Sequence, residues 1–108
     1  MTIEINETNA IPTWEAEFEA ILKEGATLAV KCLSDPYQNG QIWSGEWVAY
    51  ALPGDGRTLV LALRRDNKPK IIKRANGLVS LATRLGFDVV PMPSSKGAIA
   101  SGKVSAKV

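Results

Sequence analysis

Residues 27–74 read TLAVKCLSDPYQNGQIWSGEWVAYALPGDGRTLVLALRRDNKPKIIKR, and their patterning decides the fold. Positions 27–33 alternate, with Leu28, Val30 and Cys32 on one side. In 42–52 a period of two puts Trp43, Gly45, Trp47 and Ala49 on one face and Ile42, Val48, Tyr50 and Leu52 on the other. Positions 58–63 are nearly all apolar, as in an inner strand buried on both faces. A turn at 66–68 leads into a fourth strand-like run, 70–74. The stretches SDPYQNGQ and Pro53-Gly54-Asp55-Gly56 are dense in turn residues. Short connections between successive strands predict a four-stranded antiparallel meander.

Helical patterns flank this block. Trp14, Phe18, Ile21 and Leu22 fall at i, i+4, i+7 and i+8, with Thr13 as N-cap, Glu15 and Glu17 in the first turn and Gly25 at the stop. A second helix is predicted over 77–85, with Asn76 as N-cap, an apolar stripe of Leu78, Leu81, Ala82 and Leu85, and Gly86 as terminator. The expectation is an α+β fold: an N-terminal helix, the meander, and a C-terminal helix packed on the sheet. One domain spans 12–91, between a flexible N-terminus, 1–11, and a flexible basic tail, 92–108.

What is missing narrows the chemistry. The 108 residues contain no histidine and a single cysteine, Cys32. A disulfide framework within one chain, a Cys/His zinc site and histidine acid–base catalysis are excluded. Cys32 reads as a small buried hydrophobe. The chain reads as a non-enzyme with no cofactor and no evident small-molecule substrate. It shows no secretory leader and no apolar run of about 20 residues, so it reads as cytoplasmic, with no membrane association. Positions 97–104 fit the phosphate-loop spacing G-x-x-x-x-G-K, but Val104 stands where Ser or Thr should bind magnesium, and too little chain follows to supply the helix.

The net charge of +2 hides a segregation. Residues 1–24 carry six Glu against one Lys, whereas 57–74 carry Arg57, Arg64, Arg65, Lys68, Lys70, Lys73 and Arg74 against Asp66 alone. A β-ribbon with a basic tip can grip a phosphate backbone. Two other readings stay open: solvated turn charges, or neutralisation by the acidic first helix. Trp43 and Trp47 either form a platform for unpaired bases or belong to the core or an interface. Because both faces of 42–52 are apolar while only two helices are available to cover them, a homodimer burying Trp43 or Trp47 is expected.

Four strands running directly into a helix, with Lys70-Ile71-Ile72-Lys73 leading to Asn76, resemble the Whirly and positive-cofactor-four type of single-strand-binding fold. The resemblance covers about 60 residues and rests on pattern, with the helix ahead of the sheet as a departure from it. It implies contact with unpaired DNA through Trp43, Trp47, Arg64, Arg65, Lys68, Lys70 and Lys73, and a dimer formed with help from the helices. The leading helix also permits the helix–three strands–helix order of a double-stranded-RNA-binding domain. The sequence thus points to an accessory or regulatory module binding DNA or RNA through 57–74. The alternative is a protein–protein adaptor using the Trp-bearing face and the acidic helix.

Overall fold

The computed structural model describes residues 5–102. Its elements in chain order are β1 (Ile11–Thr13), α1 (Glu15–Lys23), β2 (Thr27–Asn39), β3 (Ile42–Leu52), β4 (Leu59–Leu61), β5 (Ile72–Arg74), α2 (Ala75–Arg84) and β6 (Ile99–Gly102). The α+β class holds, but the sheet has six strands and is mixed. Its order is β1-β4-β3-β2-β6, with β5 also paired to β3.

The alternating runs form the long β2–β3 hairpin, closed where Asn39 faces Ile42 and Gly40 takes φ 66°. β2 runs past its apolar stretch because two register shifts, between Cys32 and Ser34 and between Ser34 and Tyr37, absorb Pro36. The antiparallel succession holds from β2 through β4, and the expected meander changes only at β5, which pairs with β3. β4 pairs with the C-terminal part of β3 (Tyr50 with Val60), and β5 with the N-terminal part (Trp47 with Ile72, Ser44 with Arg74). Both are antiparallel to β3, so β4 and β5 lie end to end along one edge. Residues 62–71 leave the sheet between them, closed by an Ala62–Pro69 bridge and by the Leu63 and Lys70 amides donating to Lys68 and Leu61 carbonyls, both at 2.8 Å. The cause is in the residues. Arg64 to Lys68 offers no apolar side chain to a half-buried sheet, and Pro69 offers no N–H.

The ends also differ from expectation. β1, which starts at the last residue of the 1–11 segment expected to be loose, is parallel to β4, so β1-α1-β2 is a crossover over β4 and β3. Thr13 belongs to β1 and donates its hydroxyl to the Ile11 carbonyl, leaving Trp14 as the N-cap residue. At the other end β6 pairs with β2, and the Cys32 amide donates to the Ala98 carbonyl. Residues 92–102 are therefore built into the fold, with Gly97 donating to Cys32 and 99–102 lying in a strand instead of wrapping a phosphate. Small residues suit an edge strand passing Phe87, whose ring would lie 3.5 Å from a Cβ at Gly102. Lys103 and Lys107 of the expected tail lie outside the described residues.

Both helices cover one face of the sheet. Phe18 and Leu22 of α1 and Leu78, Leu81 and Ala82 of α2 pack with Leu28, Val30, Cys32, Trp47, Ala49 and Leu61. Both helices end at a left-handed glycine, Gly25 (φ 113°) and Gly86 (φ 83°). After α2 the Gly86 and Phe87 amides return to the Thr83 and Ala82 carbonyls in a Schellman arrangement. α2 itself begins at Ala75, so its N-cap is Arg74 and Asn76 is inside the helix.

The opposite apolar face, which carries Val48 and Tyr50, is covered from within. Ile5 and Ala10 pack on a cluster of Ala29, Val48, Tyr50 and Val60. Glu7 ties this segment down, its Oε2 2.8 Å from Lys31 Nζ and its Oε1 accepting from the Tyr50 hydroxyl at 3.4 Å. Burial first, and the adjacent Glu7 carboxylate second, push the Tyr50 phenol up to about 12. A folded pKa above the unfolded value of about 10 means stability is lost as pH rises from about 10 towards 12. Denaturant titrations across that range should therefore show an alkaline fall for wild type that Tyr50→Phe reduces. An identical fall in the variant would assign the loss to other groups.

Candidate nucleic-acid interface

The basic tip is pinned to the start of α1. Asp66 Oδ1 accepts the Lys68 amide at 3.1 Å, and Asn67 takes φ 56°, which completes a tight turn. Asn67 Oδ1 then accepts the Trp14 indole N–H at 2.7 Å. The Arg64 guanidinium lies 5.0 Å from the Trp14 ring centroid, a cation–π contact. Lys70 Nζ is 4.0 Å from Glu15 Oε2. The charges expected on a free ribbon are thus presented by a loop docked on α1.

Beside this loop runs a groove of about 580 Å³ between α1, β5 and α2. Lys70, Lys73, Arg74 and Arg84 line it against one carboxylate, Glu15. No side chain caps the first turn of α2, and that turn holds no acidic residue, so its N–H groups add positive potential at the groove. Arg84 donates to Glu15 at 2.6 Å and to Glu19 at 3.0 Å. Lys73 and Arg74 are exposed and have no ion-pair partner among the described residues. They also line a second cleft, of about 390 Å³, with Tyr37, Ser44 and Glu46.

The sequence reading missed Arg84, which lies beyond the basic run. Its signal was the spacing of Asn76, Ser80 and Arg84 at i, i+4 and i+8, a polar stripe that faces the groove. Arg57, by contrast, does not join the site. It sits in the β3–β4 turn, its Nε 2.7 Å from Asp55 Oδ2. The Arg57 amide, then its side chain, hold the Asp55 carboxyl below the usual carboxylate range. Between Ala51, the register partner of β4, and Ser44, the partner of Arg74, β3 rises by roughly 23 Å. Arg65 and Lys68 are exposed at the loop tip.

The two tryptophans separate. Trp47 is 1% exposed and its indole N–H donates to the Pro93 carbonyl at 2.8 Å. Its ring lies over Gly45, where a Cβ would sit 2.9 Å from Cη2. The gap between the tryptophans is filled by Trp47 itself, so no two-ring platform is open to ligand. Trp43 is 51% exposed. With Pro36, Trp47, Ala75, Met92 and Ser94 it lines an apolar pocket of about 660 Å³. The first turn of α2 divides this pocket, on the Ala75 side, from the basic groove, on the Asn76–Gly77 side.

Cys32 is buried, and its Sγ lies 3.0 Å from the Ser34 carbonyl. Burial, the larger effect, pushes its thiol up, away from a reactive thiolate. Among the described residues no helix is long and apolar enough to cross a membrane. The fold and the groove define an α+β protein with a cationic cleft at a helix N-terminus. The chain matches no protein-family model, no curated protein and no solved structure.

Proposed function

We propose that this protein is a non-enzymatic nucleic-acid-binding module that holds phosphates in the groove between α1, β5 and α2. The observation that carries this reading is the lining of that groove: four cations, one carboxylate and an uncapped helix start. Lys73 and Arg74 are the primary phosphate ligands, Lys70 and Arg84 lie deeper, and Arg65 and Lys68 extend the field at the loop tip. Trp43, next to the register position of Arg74, offers one exposed indole face on which an unpaired base can stack, which gives a preference for single strands.

Titration of labelled single- and double-stranded oligonucleotides at two salt concentrations tests the reading. Affinity should fall steeply with salt, since each neutralised phosphate releases counterions. The single strand should bind more tightly and quench Trp43 fluorescence. Absence of binding at micromolar protein in low salt would overturn the proposal. The apolar pocket beside Trp43 and Met92 favours a second reading, docking of a protein partner or a second copy, and that failure would leave it standing.

A further inference from the structure

We infer that Glu15 is an internal stand-in for a phosphate, which an incoming nucleic acid must displace; this rests on the groove being the nucleic-acid site. The two oxygens of its carboxylate are shared between two of the groove's cations. Oε1 accepts from Arg84 Nη2 at 2.6 Å, and Oε2 lies 4.0 Å from Lys70 Nζ. A phosphate oxygen pair bridging a lysine and an arginine would make the same contacts. Among the described residues Glu15 is the only acidic one lining the groove, and it projects from the first turn of α1, where the helix dipole favours its charge.

The arrangement permits exchange. All three side chains of the cluster are about half exposed, at 48% for Glu15, 46% for Arg84 and 42% for Lys70, so solvent screens their pairing. Arg84 has a second support: its Nε donates to Glu19 Oε1 at 3.0 Å, and Glu19 is only 18% exposed. When Glu15 swings away, Glu19 keeps the guanidinium at the groove wall, ready for a phosphate. The acidic first helix therefore sets the affinity of the basic surface by competing for two of its cations. Neutralisation by α1 and polyanion binding are two states of one site.

Glu17 supplies a matched control. It lies in the same first turn, carries the same charge, lines no part of the groove and has no ion-pair partner among the described residues. Glu15→Gln and Glu17→Gln change net charge and helix-dipole interaction equally, and thermal unfolding checks that both variants fold. With a single-stranded oligothymidylate probe at low salt, Glu15→Gln should tighten binding by about fivefold, the loss of two exposed ion pairs. Glu17→Gln should change it by less than about twofold, the general effect of one more positive charge. Equal tightening in the two variants, or none in either, with wild type binding normally, would overturn the role of Glu15 alone. Failure of wild type and both variants to bind at all would overturn the nucleic-acid reading as well.

Discussion

Trp47→Ala should destabilise the fold by about 3–5 kcal/mol, the range for emptying a buried aromatic site. The expected size follows from where the ring lies. It is among the largest fully buried side chains and touches the core between sheet and helices. Its indole also closes over Gly45 and holds the Pro93 carbonyl, so truncation leaves a cavity, a bare strand position and a buried acceptor without its donor. Against a total of about 5–15 kcal/mol for a domain of this size, such a loss brings the chain close to unfolding at room temperature. Urea denaturation followed by far-ultraviolet circular dichroism measures it. Trp47→Phe separates the two contributions, keeping most of the packing and losing the hydrogen bond, at a cost of about 1–3 kcal/mol. A Trp47→Ala midpoint within experimental error of wild type would contradict the burial of this ring.

The same residue shows where sequence reading ends. Period-two patterning placed Trp43 and Trp47 on one face correctly, because alternation is a backbone property. It carried no information on where that face ends. The ring four residues further along lies beneath α2 and the 92–94 segment, while Trp43 lies past the start of the helix. The apolar run 27–33 of β2, strand β3, the terminator Gly86 and the apolar stripe of α2 were legible for similar local reasons, whereas 34–39, dense in turn residues, continue β2 through its two register shifts. Of the three-residue strands, β4 and β5 lie inside the strand-like runs 58–63 and 70–74, whereas β1 is too short to show a period and its partner is set by tertiary packing. β6 was hidden by composition, since Ile99-Ala100-Ser101-Gly102 reads as linker until β2 offers it an edge. The hairpin expected over 58–74 closes at its tip, through the antiparallel Ala62–Pro69 bridge, but β4 and β5 themselves pair with β3, and no local signal reports that.

Of the basic run, Lys70, Lys73 and Arg74 line the groove while Arg57 lies away from it, because proximity in sequence does not distinguish two ends of one strand. That separation allows position to be tested against total charge. Lys73→Gln together with Arg74→Gln should weaken binding to a single-stranded oligonucleotide by about 10- to 100-fold at low salt and lower the salt slope by about two. Among the described residues neither side chain has an ion pair to lose, and the Arg74 side chain makes no capping hydrogen bond to α2, so the fold should be unaffected within about 0.5 kcal/mol. Arg57→Gln removes a charge from the same basic run, but from a turn near the far end of β3, where Asp55 already holds the guanidinium. It should leave both affinity and slope nearly unchanged. If binding followed total charge instead of position, three single substitutions at 57, 73 and 74 would weaken it equally. That result would refute a phosphate site in the groove and leave only diffuse attraction between a basic protein and a polyanion.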